Sequence, residues 1–140
     1  MKVLFVCKNN QFRSQMAMAI YNKLTGTDNA TSAGTYVGNL QNPEGETIEQ
    51  YFATLDFFQM MEDYGMHVRK NRTQKISLKL LKKADVVISM AEEPFIPEFL
   101  RKSKKVIRWE IANPIFATRE VSEKTYSVIF KLIEKLILEI

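Results

Sequence analysis

The chain has 140 residues, of which 46% are hydrophobic and 26% charged, with a formal net charge of +4; this is the make-up of one globular domain, expected to span residues 1–140. Disorder and collagen-like structure are excluded. The longest uncharged apolar runs, such as residues 86–90, fall far short of the ~20 residues that cross a bilayer. Residues 1–7 are too short for a signal-peptide apolar region, so a cytoplasmic protein without a membrane partner is expected.

One cysteine and one histidine allow neither an intramolecular disulfide nor a structural zinc site. Any chemistry at Cys7 is that of a lone thiol. Charge is unevenly spread: residues 24–68 carry seven acids and no Lys or Arg, residues 69–83 carry seven basic residues and no acid, and residues 101–105 add a second basic cluster. Such runs are more often solvated helix faces than phosphate-binding surfaces, so nucleic acid is disfavoured as a partner.

Four short runs read as strands. Residues 3–6, 86–90 and 106–109 are rich in β-branched residues, as in strands buried on both faces, and residues 30–33 form a weaker fourth. Between them the apolar period becomes helical. Met16, Ala19, Ile20 and Leu24 form one stripe; Ile48, Phe52, Leu55 and Met60 form another. Leu78 and Leu81 follow, then Phe95, Phe99 and Leu100, and last Tyr126, Ile129, Ile133, Leu136 and Ile140 along a long terminal helix. The alternation predicts a three-layer α/β/α sandwich with a four-stranded parallel sheet. Tyr51, Phe52, Phe57 and Phe58 exceed what one stripe buries, which leaves room for a homodimer face. The single histidine, His67, has no partner motif and reads as structural or solvated.

Ligands of open α/β sheets bind beyond the carboxyl ends of the strands, and the first such end is the most informative. Cys7, Lys8, Asn9, Asn10, Gln11, Phe12, Arg13 and Ser14 follow a strand and open a helix. Backbone N–H groups of a loop curling into a helix N-terminus can hold a tetrahedral dianion. Arg13 would grip two of its oxygens as a planar fork. The same field stabilises a thiolate at Cys7, beneath the phosphorus. Ser14 would donate a hydrogen bond to the sulfur, and Asn10 would tie the loop to itself.

With these residues the chain resembles the low-molecular-weight protein tyrosine phosphatase family and its arsenate reductase relatives. Cys7, Asn10, Arg13, Ser14, Met16 and Ala17 match the family's opening motif, residues 31–35 its Ser-Ala-Gly-Thr strand end, and residues 84–90 its third strand. The resemblance implies Cys7 as nucleophile, Arg13 as phosphate clamp, Asn10 and Ser14 as supporting groups, and a phosphate-binding loop of residues 7–13. It implies a phosphate or phosphotyrosine-type substrate and no metal or organic cofactor.

Three departures matter. Asn113-Pro114 stands where the family has Asp-Pro, whose carboxyl protonates the leaving group; an amide has no such proton, and general acid catalysis is typically worth ~10²- to 10⁴-fold. Glu92, Glu93 and Glu110 are carboxylates at neighbouring strand ends, none of them placed to replace it. Asn9 occupies a frequent glycine position, where its tolerance of left-handed backbone would let the loop form. Phe12 stands where many members have a second loop cysteine. Tyr36 and Phe116, with Ile115 beside it, fall in stretches that wall the family's substrate cleft, although each reads equally well as core. Three functions are compatible with this pattern: an aryl-phosphate or phosphotyrosine monoesterase slowed by Asn113, a non-catalytic phosphate or phosphoprotein binder, and an arsenate reductase using an external thiol.

Overall fold

The computed structural model of the chain describes residues 1–51 and 55–140. Its strands are β1 (Val3–Cys7), β2 (Ala30–Gly34), β3 (Val86–Ser89) and β4 (Val106–Arg108), and its helices are α1 (Arg13–Thr25), α2 (Leu55–Asp63), α3 (Leu78–Lys83), α4 (Glu98–Lys102) and α5 (Arg119–Glu139). The sheet has four parallel strands in the order β2-β1-β3-β4.

Register explains the strand compositions. Val3, Leu4, Phe5 and Val6 pair with Ala30, Thr31, Ser32 and Ala33 on one side and with Val86, Val87, Ile88 and Ser89 on the other. All five residues of β1 are buried. Because period 2 sends alternate side chains to opposite faces, Val3 and Phe5 join the core under α1, α2 and α5, while Leu4 and Val6 join the core under α3 and α4. These are the three layers expected. The outer strand β4 departs from the expectation of burial on both faces: Ile107 is 45% exposed, because β4 pairs with β3 alone. Trp109 lies just beyond β4 and packs inward, its ring 6.0 Å from that of Phe5.

Helix boundaries follow local chemistry. Thr118 and Ser77 cap α5 and α3, their hydroxyls accepting from Val121 and Leu80 N–H; Gly26 ends α1 with φ +65°, a left-handed conformation that costs glycine little. In α1 the period is as read but the face is turned by about one residue: Met16, Ala17, Ile20 and Tyr21 are buried, and Leu24 is exposed. The second expected stripe does not form one helix. Ile48 sits in a separate 3-10 turn (Ile48–Gln50), Leu55 is exposed, and Phe52 lies outside the described residues. Phe95 precedes α4 and lies in a loop. Phe57 and Phe58 are fully buried, so neither offers surface to a second copy, and the ground for a homodimer at those residues falls away. No helix among the described residues is long and apolar enough to cross a membrane.

Candidate active site

Strand order places the two neighbours of β1 on opposite sides of it, so the crossovers diverge at the carboxyl end of β1 and open a crevice there. Cys7 is the last residue of β1 and Arg13 the first of α1; residues 8–12 bridge them. Asn10 makes the loop turn with φ +56°, and it is the single non-glycine residue with positive φ among the described residues. The left-handed conformation expected at Asn9 therefore belongs to Asn10. Its side chain is fully buried and fully used: Nδ2 donates to Ser14 Oγ at 2.8 Å and to Ser32 Oγ at 3.0 Å, and Oδ1 accepts from Gln74 N–H at 2.9 Å.

Further groups hold the loop from outside. Gln15 Nε2 donates to the Asn10 carbonyl at 3.0 Å. Asn42, also buried, donates to the Asn9 carbonyl at 3.1 Å and accepts from Gln11 Nε2 at 3.1 Å. Gly34 is there for space: a Cβ on it would lie 2.8 Å from the Lys8 carbonyl oxygen and 3.0 Å from Asn10 Cβ.

Among the described residues, the backbone N–H groups of residues 9–12 have no protein acceptor, and no side chain caps α1. A small pocket of about 110 Å³ is lined by Cys7, Asn9, Gln11, Phe12 and Arg13 from the loop, and by Asn113, Pro114 and Ile115 from across it. At its floor Cys7 Sγ and Ser14 Oγ are 3.0 Å apart. Because Asn10 donates to the serine oxygen, the serine proton is free to point at sulfur, the arrangement that stabilises a thiolate.

Arg13 is 1% exposed and held by three acceptors. Its Nη1 donates to the Met90 carbonyl at 2.6 Å, Glu92 Oε2 at 2.8 Å and the Ile111 carbonyl at 2.9 Å, and Nη2 to Glu92 Oε1 at 3.3 Å. Among the described residues no acceptor takes its Nε–H. Glu92 is thus the counter-charge of Arg13. Glu93 is paired with Arg101 at 2.7 Å, and Glu110 is exposed, with Arg108 Nε 4.0 Å away.

A wider cleft of about 620 Å³ adjoins the pocket, with Lys8, Phe95, Trp109, Glu110 and Asn113 on its walls. Asn113 belongs to both, so it stands between the anion-sized pocket and the space for the rest of a ligand. Tyr36 meets Phe95 edge-on at 5.3 Å, and Lys8 Nζ lies 4.0 Å from the Phe95 ring centre. Neither Tyr36 nor Phe116 is core: Tyr36 is half-buried with its hydroxyl donating to Gln41, and Phe116 and Ile115 are exposed. His67 is exposed.

The sequence alone does not assign Glu92, Asn42, Gln74, Ser32 or Phe95 to the site. Glu92 and Ser32 carry signals, as a carboxylate at a strand end and as part of the strand-end match of residues 31–35, but neither signal points to the bonds they make with Arg13 and Asn10.

A parallel α/β sheet whose central strand ends in a buried cysteine, below a ring of free N–H groups and an arginine, defines the class of cysteine-dependent phosphatases. The family model described as low molecular weight phosphotyrosine protein phosphatase matches residues 2–140, and the chain belongs to that family. Among solved structures it is similar to a low molecular weight protein tyrosine phosphatase from T. tengcongensis, at 28% identity and TM-score 0.77, over 100% of this chain and 99% of that one. It is similar in fold to Vibrio vulnificus Wzb in complex with benzylphosphonate, at 17% identity and TM-score 0.81, over 99% and 98% of the two chains. A third similar fold is the arsenate reductase from Archaeoglobus fulgidus, at 24% identity and TM-score 0.70, over 97% and 98%. No curated protein gave a match.

Proposed function

We propose that the chain hydrolyses aryl phosphates, phosphotyrosine among them, through a phosphocysteine at Cys7, and that Asn113 slows the reaction. The observation that carries this is that Cys7 and Arg13 line one small pocket, with the buried Ser14 Oγ 3.0 Å behind Cys7 Sγ. The Cys7 thiolate attacks phosphorus as the P–O bond to the aryl group breaks. The N–H groups of residues 9–12 and the free edge of Arg13 take the equatorial oxygens, whose charge spreads in the transition state. Water then attacks phosphorus, the S–P bond breaks, and sulfur leaves as the thiolate that Ser14 stabilises. Asn113 lines the pocket where a leaving oxygen emerges, and its amide can donate a hydrogen bond without transferring a proton.

Leaving-group chemistry tests the reading. Nitrophenolate departs with little protonation, whereas a tyrosine phenolate, of parent pKa ~10, depends on a donor. The chain is expected to hydrolyse nitrophenyl phosphate measurably and phosphotyrosine poorly. Asn113→Asp should raise the phosphotyrosine rate by ~10²- to 10⁴-fold and flatten the dependence on leaving-group pKa in steady-state assays. If neither changes while phosphate still binds, the second reading holds: a phosphate or phosphoprotein binder that Asn113 has taken out of catalysis. Arsenate reduction by relay needs further thiols, and the sequence has one cysteine.

A further inference from the structure

The two basic runs differ in how far they are neutralised. Arg69 is paired with Glu62, Lys70 with Glu49, and Arg101 and Lys102 with Glu98. Lys105 is used structurally, its Nζ donating to the Leu81 and Ala84 carbonyls at the end of α3. Lys75, Lys79, Lys82 and Lys83 are exposed, and among the described residues none has a carboxylate within ion-pair distance. Lys79, Lys82 and Lys83 are spaced i, i+3, i+4, so they share one face of α3.

Helix stability does not account for this face. Cations favour the last turn of a helix and disfavour the first; Lys82 and Lys83 sit in the last turn, but Lys79 lies in the first and Lys75 just before the cap at Ser77. Lys79 and Lys83 also repel each other at i, i+4. Two clefts, of about 350 and 260 Å³, flank the face and share Gln74, Leu80 and Lys83. The face begins beside the candidate active site and runs from there toward the amino ends of the strands, where Lys83 lines a cleft with Lys2 and Val3. Lys75 bridges to Gly34, and the Gln74 N–H donates to Asn10 Oδ1 in the phosphate loop.

We propose that the lysine face of α3 docks an acidic segment of the phosphoprotein substrate, alongside the phosphorylated residue held at Cys7. The inference rests on the phosphatase reading above. Charge complementarity selects an anionic occupant, and the lining selects a peptide. Neither cleft has an aromatic ring or an arginine on its walls, the groups on which nucleic-acid bases stack; one carboxylate lines each, Glu44 beside Lys75, Lys79 and Lys83 and Asp28 beside Lys2 and Lys83, so lysines outnumber acids in both, and Leu80 gives apolar contact between them.

The test uses two phosphotyrosine peptides, each carrying after a flexible Gly-Ser spacer about eight residues that are acidic in one and their amides in the other. At low salt the acidic peptide should show a KM lower by roughly tenfold or more, and the advantage should fade as the Debye length shrinks to ~3 Å near 1 M salt. The variant Lys75→Gln/Lys79→Gln/Lys82→Gln/Lys83→Gln should lose the preference and hydrolyse nitrophenyl phosphate as before. Equal KM for both peptides overturns the proposal. So does stronger inhibition by a single-stranded oligonucleotide of equal charge than by the acidic peptide. If no peptide turns over, fluorescence anisotropy with the Cys7→Ser variant decides: tighter binding of the acidic peptide upholds the docking face while the phosphatase reading fails, and equal binding overturns it.

Discussion

Arg13 is the residue on which the site depends most, and its geometry sets two tests. Nη1 is committed to Met90, Glu92 and Ile111 acceptors, so the guanidinium is fixed in place before any ligand arrives, and its Nε edge remains for oxygen. Lysine cannot span three acceptors and an oxyanion with a single ammonium. Arg13→Lys should therefore abolish measurable phosphate binding in calorimetry. Glu92→Gln removes the counter-charge but keeps one acceptor for the fork; it should lower kcat for nitrophenyl phosphate by more than it raises KM, because misalignment matters most where charge is redistributed. Gly34 is the second sensitive position. An alanine Cβ there would press on the Lys8 carbonyl, which accepts from Tyr36 N–H at 2.7 Å, and on Val37. Gly34→Ala should cost ~1 to 3 kcal/mol by overpacking in urea denaturation, and should weaken phosphate binding because the strain falls on the loop itself.

Among the elements, α2 shows how the site is buttressed. Phe57 meets the loop residue Phe12 edge-on at 5.0 Å, and Glu62 at the helix's far end holds Arg69 at the start of the segment that leads to Gln74. The hydrogen bond from Arg69 keeps the Glu62 carboxyl below its usual 4.5. A group depressed on folding stabilises the native state above its unfolded pKa, and that contribution is lost as pH falls from about 4.5 through the lower folded value. Glu62→Gln should accordingly destabilise by no more than ~1 kcal/mol at neutral pH, since the pair is partly exposed, and the difference should vanish in strong acid. Such long-range ties mark the limit of what the sequence makes legible. The strands stand out because β1 and β3 are buried on both faces, and Cys7, Arg13 and Ser14 because they lie close together along the chain. Asn42, Gln74 and Glu92 reach the loop from more than thirty residues away; nothing in the local context of Asn42 or Gln74 distinguishes them from turn or surface residues, and the strand-end position of Glu92 does not reveal its bond to Arg13. Phe95 reads as helical because its spacing to Phe99 fits 3.6 residues, yet Pro97 sits between them as the N-cap and starts α4 later.

At the scale of the whole molecule, the site and the fold share one equilibrium. Residues 7–13 carry donors that no protein group satisfies among the described residues, the Asn10 network joins β1, β2, α1 and the 71–76 segment, and Arg13 joins α1 to the ends of β3 and β4. An anion that fills the pocket completes bonds in all of these elements and has no comparable site on the unfolded chain. Mass action then raises stability by about 2.7 kcal/mol at a hundredfold excess over Kd, which for a chain of this size corresponds to a rise in Tm of roughly 10 °C. Phosphate and vanadate should each produce such a shift in calorimetry, and Arg13→Lys should remove it. Cys7→Ser should keep the phosphate shift, because the N–H ring and Arg13 remain, but should lose any extra stabilisation by vanadate that comes from a bond to sulfur. An equal phosphate shift in Arg13→Lys would locate the anion elsewhere, with the α3 lysines as the place to look next.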